Sequence, residues 1–151
     1  MLAGCCGSVR WVDAMLARRP FGSLTALVES ADVIWHGLSE ADWLEAFGHH
    51  PKIGDRSAHG IAKQEQSGAA SAPAAIVLEL ADANRAYEAR FGYIFIICAT
   101  GKSAESMLDA LRNRLRNDAQ TEIRIAAEEQ LKITQLRLKG VVAGNLRAVV
   151  Q

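Results

Sequence analysis

The sequence predicts an all-α fold: a single-domain helical bundle with one short extended apolar segment near residues 93–99. Half of the 151 residues are hydrophobic and only 6% are aromatic, and the frequent residues alanine, leucine, glutamate and arginine favour helix over strand. Apolar residues also recur at three- and four-residue spacings along most of the chain. A chain of this length buries about two thirds of its unfolded surface, so we expect one domain over residues 1–151.

Three helices are predicted before residue 48. Helical spacing over residues 9–18 ends at the RRPF stretch, because proline disfavours helical geometry in the residue before it. The Ser23 hydroxyl can cap a second helix, whose apolar stripe continues to Trp35. Ser39 begins a third helix that runs to about Phe47.

The middle of the chain combines a loop with one long helix. Residues 48–60 are rich in glycine and contain a proline, which predicts a structured loop, and a short helix is expected around residues 62–69. A helix is then predicted over residues 74–91, with Gly92 as its stop. Periodicity does not decide whether the apolar run YIFIICA that follows is a strand or a buried extended loop.

Two further helices complete the prediction. Ser103 caps a helix to about Arg116, and a last helix runs from about Thr121 to Lys139, with Glu122 favouring its first turn through the helix dipole. The glycine-containing tail after residue 140 is left unassigned.

Charge and cysteine usage restrict the class of partner and the compartment. Seventeen basic residues balance seventeen acidic ones, so no overall field attracts nucleic acid or an anionic membrane, and a small-molecule or protein partner is expected. Cys5, Cys6 and Cys98 contain no C-x-x-C pair, which indicates reduced thiols in a cytoplasmic protein. No window approaches 18 uninterrupted apolar residues, and the start does not resemble a signal peptide.

The stretch GHHPKIGD, residues 48–55, carries the first candidate for chemistry. His50 precedes Pro51, which restricts its backbone to extended geometry and holds the imidazole at a helix end. A histidine titrates near neutral pH and can exchange protons there. The alternative is that one or both histidines only satisfy backbone groups at the helix terminus, a role that suits His49 better.

Two other site classes are disfavoured by spacing. The four histidines show no i, i+4 pair on a helix, so no metal site is predicted. FIICATGKS resembles a strand leading into a phosphate-binding loop, but the required first glycine is replaced by Ile96, which excludes that motif.

Two more polar features suggest a pocket. Glu65 and Gln66 lie in KQEQSGA, although such residues are usually solvated. On the last helix Arg137 shares a stripe with Ile133, so its guanidinium is expected to be partly buried and suited to holding a carboxylate through two parallel hydrogen bonds. A structural salt bridge to one of the chain's own acids remains the alternative for Arg137.

Taken together, these stretches resemble a known family. W…RPF, HPKIGD, EQSGA, NRAYEARFGYIFIICATGKS and RIAAEEQLKITQLRL occur in this order over about residues 7–139, and together they resemble the 2-oxo-4-hydroxy-4-carboxy-5-ureidoimidazoline (OHCU) decarboxylases, lyases that form (S)-allantoin in urate degradation. The resemblance implies an all-α homodimer that acts on a small molecule without a metal or organic cofactor.

The resemblance also implies residue roles. His50 corresponds to the catalytic acid/base, with Glu65 and Arg137 as further catalytic residues. Pro51 and Gln66 would line the substrate site, and the segment from Phe95 to Ala99 would receive the substrate's ureido and ring amides through its backbone. The members of that segment are Phe95, Ile96, Ile97, Cys98 and Ala99.

Two departures from the family pattern affect these expectations. Ala62 replaces a serine that the family often has, which leaves one substrate contact undefined, and relatives usually carry a longer N-terminal stretch, which implies a truncated start. Two alternatives stay open: a non-catalytic helical module that binds a purine-derived ligand, and a decarboxylase of a related ureido or β-imino acid.

Overall fold

The computed structural model describes residues 1–51 and 73–150, with side chains to residue 145. Its helices are α1 Leu2–Cys5, α2 Val9–Ala17, α3 Leu24–His36, α4 Glu40–Phe47, α5 Ala74–Phe91, α6 Ala104–Arg114 and α7 Ala119–Val150. No strand occurs within the described ranges, so the all-α prediction is confirmed. The loop predicted over residues 48–60 is described only as far as Pro51, and the helix expected around 62–69 lies outside the described residues.

Helix starts follow the predicted caps. The hydroxyls of Ser23 and Ser103 accept from the amide three residues further on, at 3.0 and 3.1 Å. At the start of α4, the Asp42 amide donates to Ser39 Oγ at 3.3 Å while the Ser39 amide donates to Asp42 Oδ2 at 3.1 Å. This reciprocal arrangement satisfies two amides that the first turn of a helix leaves without partners.

The helices differ from the prediction at α1, at the end of α6 and at both ends of α7. The short helix α1 was not expected, and α6 ends at Arg114 rather than Arg116. The last helix begins before Thr121, because the Asp118 carboxylate accepts from the Thr121 amide at 2.8 Å and acts as the cap. It also continues through the glycine-containing tail to Val150, where an exposed Gly140 is tolerated at a cost of only about 1 kcal/mol.

The chain forms two compact units, one of Met1–Ala46 with Ala127–Gln151 and the other of Phe47–Ala126. This grouping does not test the prediction of one domain over residues 1–151, which stays a prediction. Because the first unit joins both ends of the chain, its core combines α2 and α3 with the later part of α7. No helix in the described ranges is long and apolar enough to cross a membrane.

Tryptophans organise the first unit. Trp11 and Trp35 are buried, and their indole N–H groups donate to the carbonyls of Ala31 at 3.3 Å and Ala127 at 2.9 Å. Trp43 donates to the Trp35 carbonyl at 3.0 Å. All three indole N–H groups therefore keep a hydrogen bond, and the apolar rings of Trp11 and Trp35 are buried at the same time.

An aromatic and aliphatic cluster forms the core of the second unit. Its buried members are Leu80, Tyr87, Phe95, Ile97, Ala99, Met107, Leu108 and Leu111. They come from α5, from the segment after it, and from α6, which packs against α5. Gly92 ends α5 with a φ of 84°, a left-handed conformation that favours glycine. The predicted stop is confirmed.

Candidate functional site

The two adjacent histidines follow the end of α4 and have different surroundings. The His50 amide donates to the carbonyl of Phe47, the last residue of α4, at 3.2 Å. His50 and Pro51 are half-buried, whereas His49 is exposed. His50 is therefore held on a hydrogen-bonded turn in a partly enclosed position, which suits a group that exchanges protons with a bound molecule.

The segment from Phe95 to Ala99 is buried without belonging to a helix or strand. The Ile96 carbonyl accepts from Arg114 Nη1 at 2.7 Å, and the Cys98 carbonyl accepts from Lys102 Nζ at 2.7 Å. Among the described residues, the N–H and C=O of Ile97 have no hydrogen-bond partner. Because buried backbone polar groups are nearly always paired, the backbone of Ile97 has one donor and one acceptor that would suit a ligand.

The residues that imitate a phosphate-binding loop have local structural contacts. The Lys102 ammonium turns back to the Cys98 carbonyl, and the Lys102 amide donates to the Ala99 carbonyl at 3.0 Å. Gly101 takes a φ of 76° at this turn, and Ser103 caps α6. The GKS sequence therefore has a structural explanation: Gly101 and Lys102 form a turn, and Ser103 begins α6.

A buried charge network beside this segment was missed by sequence reasoning. Glu122 is fully buried and accepts from Tyr87 Oη at 2.6 Å, Arg114 Nε at 2.7 Å and Asn117 Nδ2 at 3.0 Å. The predicted contribution of Glu122 to the first turn of α7 is therefore incomplete, because its carboxylate turns inward and is neutralised by Arg114. Burial raises the pKa of Tyr87 well above its usual value. The hydrogen bond from the Tyr87 hydroxyl to the Glu122 carboxylate raises this pKa further.

Arg137 lies on the part of α7 that belongs to the first unit, and it is half-buried as predicted. Its Nη1 donates to the Gly4 carbonyl at 3.4 Å, longer than the roughly 2.7–3.2 Å typical of such bonds. Cys5 and Cys6 are buried nearby, and burial raises the pKa of the Cys6 thiol to about 11, although the positive charge of Arg137 opposes this shift. Cys6 is therefore a protonated, unreactive thiol at neutral pH.

The first unit also contains an apolar cavity of about 430 Å³. Its walls include Val12, Leu16 and Leu27 from α2 and α3, with Leu138 and Val141 from α7. None of the predicted site residues within the described ranges lines it. Across those same ranges, no three His, Cys, Asp or Glu side chains lie together as a metal site.

The remaining predicted site residues have no structural description. Glu65 and Gln66, together with Ala62, lie outside the described residues. His50, Pro51 and the Phe95–Ala99 segment belong to the second unit. The described geometry therefore places His50 and the segment within one compact unit, and places Arg137 in the other.

Comparison with known proteins indicates the family of this chain, which the geometry alone does not. The family model described as OHCU decarboxylase matches residues 1–139. The "Uric acid degradation bifunctional protein TTL" of Arabidopsis thaliana is 37% identical over 96% of this chain and 47% of its own length. The "2-oxo-4-hydroxy-4-carboxy-5-ureidoimidazoline decarboxylase" of Amia calva is 35% identical over 63% of this chain and 54% of its own length. The chain thus spans about half the length of each of these two curated relatives.

A solved structure agrees with this assignment over nearly its whole length. The "Crystal structure of OHCU decarboxylase in the presence of (S)-allantoin" superposes with a TM-score of 0.85 and 39% identity, covering 93% of this chain and 96% of that chain. The matched region contains the residues that resembled this family in the sequence, from the helix preceding RPF to Arg137. The chain therefore belongs to the OHCU decarboxylase family.

Proposed function

We propose that this chain decarboxylates 2-oxo-4-hydroxy-4-carboxy-5-ureidoimidazoline and protonates the product stereoselectively to give (S)-allantoin. The observation that carries the proposal is the family match over residues 1–139. The similar structure described as OHCU decarboxylase in the presence of (S)-allantoin adds support, because this chain covers 96% of it.

The chemistry of the substrate explains what the protein must supply. The carboxylate to be lost is attached to a carbon beside a ring C=N, so the electrons released with carbon dioxide move into that imine. The substrate is its own electron sink, and we infer that no cofactor takes part. What is left to the protein is to orient the carboxyl-bearing carbon and to move protons.

His50 and Glu65 are the proposed proton-handling pair. They handle protons at the hydroxyl-bearing carbon, which loses its hydroxyl proton as it becomes the carbonyl of the product. His50 delivers a proton to the neighbouring ureido-bearing carbon, and this proton determines the hand of the product. The half-buried position of His50 on a hydrogen-bonded turn supports this role, since proton transfer requires a fixed approach.

Arg137, Gln66, Pro51 and the Phe95–Ala99 segment are the proposed binding groups. Arg137 holds a carboxylate or carbonyl of the substrate, Pro51 lines the site, and Gln66 and the segment backbone bind the ureido group. The N–H and C=O of Ile97, which have no hydrogen-bond partner among the described residues, support a backbone contact of this kind, because a urea presents both donors and an acceptor.

We further infer a homodimeric, cytoplasmic enzyme without a nucleic-acid partner. The family resemblance supports the dimer. The balance of seventeen basic and seventeen acidic residues supports the absence of a nucleic-acid partner, and three buried cysteines that form no disulfide are typical of a reducing compartment.

The test generates the unstable substrate in situ from urate and follows the circular dichroism of allantoin. The wild type is expected to produce (S)-allantoin faster than the spontaneous reaction. His50→Asn is expected to fold normally and to lose about a hundredfold or more in rate, the usual contribution of an acid/base group. His49→Asn is the matched control and should keep the wild-type rate. Racemic allantoin formed at the spontaneous rate with the wild type would refute the function.

Arg137→Lys tests the proposed anion contact separately. Lysine keeps the charge but not the two-pronged geometry, so kcat/KM should fall by about tenfold or more, because a lost charge-assisted hydrogen bond costs about 1.5–3 kcal/mol. Arg124→Lys, an exposed arginine on the same helix, is the matched control. Near-native KM and kcat for Arg137→Lys would contradict the role.

A further inference from the structure

We propose that Arg114 is a positioning residue for this reaction, one that is itself fixed by Glu122 and aims the Ile97 N–H at the substrate. The inference rests on the proposed function and deepens it. In this proposal Arg114, which lies on α6, acts through its hydrogen bond to the backbone of the Phe95–Ala99 segment and not by touching the substrate.

The contacts of Arg114 join a buried carboxylate to that segment. Its side chain is 10% exposed, and its Nε donates to Glu122 while its Nη1 donates to the Ile96 carbonyl, each at 2.7 Å. The guanidinium carbon also lies 4.5 Å from the centre of the Phe95 ring. One planar group thus bonds to the carboxylate on one side, bonds to the segment on another, and stacks on the ring between them.

Glu122 keeps the guanidinium in this position. The carboxylate is fully buried, and besides Arg114 it accepts hydrogen bonds from Tyr87 and Asn117. Movement of the guanidinium away from Glu122 would leave a buried carboxylate charge without compensation, which is strongly unfavourable. The end of Arg114 that faces Ile96 therefore has little freedom to shift.

The geometry of the peptide unit links the direction of the Ile96 carbonyl to that of the N–H of the next residue. The Ile96 C=O and the Ile97 N–H belong to one planar trans peptide unit, in which the two groups point in opposite directions. When Arg114 fixes the direction of the Ile96 carbonyl, it also fixes the direction of the Ile97 N–H. This matters because the segment has no strand ladder to orient it, and because this N–H has no hydrogen-bond partner among the described residues.

The same network could instead be purely structural, and the two roles differ in what they change. A structural role predicts loss of stability with unaltered kinetics in the folded fraction. A positioning role predicts weaker binding of the substrate group that Ile97 contacts. A misdirected N–H costs about one neutral hydrogen bond, so KM should rise by about tenfold. The proton-transfer groups are elsewhere, so kcat should stay within about twofold.

Arg114→Lys is the test variant. Lysine can keep the ion pair with Glu122. Its single ammonium nitrogen cannot also donate to the Ile96 carbonyl, which Arg114 contacts through a second nitrogen. Arg112→Lys is the matched control, since Arg112 lies on the same helix, is half exposed, and pairs with Glu79 at 2.7 Å instead of with the segment. Tyr87→Phe is the stability control, because it removes a hydrogen bond to Glu122 while leaving Arg114 in place.

Three measurements are made on each variant: KM and kcat with substrate generated from urate, the Kd for (S)-allantoin by calorimetry, and the melting temperature. Arg114→Lys is expected to raise KM and the Kd by about tenfold, whereas Arg112→Lys leaves both unchanged. Tyr87→Phe is expected to lower the melting temperature without changing KM.

The outcomes separate the two proposals. An inactive wild type overturns the proposed function and this inference with it. An active wild type together with a folded Arg114→Lys protein of unchanged KM and Kd overturns the positioning role alone. If Arg114→Lys does not fold, Glu122→Gln takes its place. It keeps Arg114 but removes the charge that holds the guanidinium, so the same rise in KM is expected, and its absence overturns the inference.

Discussion

Removal of a single hydroxyl from the buried network measures how much the network stabilises the second unit. In Tyr87→Phe the ring keeps its place, including the edge contact with Phe95 at 5.2 Å between ring centres, and only the 2.6 Å hydrogen bond to Glu122 is lost. Hydrogen bonds to a charged group contribute about 1.5–3 kcal/mol. We expect the free energy of unfolding to fall by about 2 kcal/mol.

For a chain of this size, the expected loss in the free energy of unfolding corresponds to a measurable shift in melting temperature. For a protein of about 150 residues, 1 kcal/mol shifts the melting temperature by about 2–4 °C, so Tyr87→Phe should lower it by roughly 4–8 °C. Urea unfolding followed by far-ultraviolet circular dichroism gives the free energy, and tryptophan fluorescence adds a local signal. Trp11, Trp35 and Trp43 all lie in the first unit, so fluorescence shows whether that unit unfolds together with the second.

A double-mutant cycle tests the assignment of this energy to the hydrogen bond. Tyr87→Phe and Glu122→Gln, singly and combined, should show a coupling energy of about 1 kcal/mol or more, as contacting members of one network do. A loss below about 0.5 kcal/mol for Tyr87→Phe, or effects of the two substitutions that simply add, would refute the reasoning.

Two further predictions concern the backbone and pH. Gly92→Ala should lower the free energy of unfolding by about 1 kcal/mol, because φ is 84° there, whereas Gly140→Ala, on an open face of α7, should raise it by about 0.5–1 kcal/mol. Urea midpoints that move in the same direction for both would contradict this. The hydrogen bond to Glu128 raises the pKa of His36, so its stabilisation is complete below about pH 6.5 and is lost as pH rises through the higher folded value. Wild type should therefore exceed His36→Gln in stability by a few tenths of a kcal/mol at pH 5.5 and by less at pH 8.5, and an equal difference at both pH values would disprove the linkage.

The fold was predictable where local chemistry decides it. Ser23, Ser39, Ser103 and Gly92 act within four residues of themselves, so their capping and stop functions follow from residue type and neighbours. The last helix α7 begins earlier than predicted because the Asp118 carboxylate, and not a residue at Thr121, caps it. The helix after residue 140 could not be decided, since glycine there lowers helix propensity without preventing a helix.

The predicted site residues rest on the family resemblance more than on local chemistry, and their roles stay predictions. Local reasoning favoured His50 over His49 because of Pro51, and the structure gives the two different exposure. Glu122 shows the limit of such reasoning. Its position in the sequence indicates a carboxylate that favours the first turn of a helix, and only the fold reveals that Tyr87, 35 residues earlier, donates to it. Residue spacing and helix propensity give no information about contacts between residues so far apart in sequence.

The division of the first unit between the two ends of the chain has a consequence for protein synthesis. Trp35 and its partner Ala127 are 92 residues apart in sequence, which at about 5–20 residues per second takes a ribosome roughly 5–18 s to translate. During that interval α2 and α3 cannot complete their core, whereas residues 47–126 are already a continuous stretch. Trp35 therefore lacks its hydrogen-bond acceptor, the Ala127 carbonyl, until the last helix has been translated.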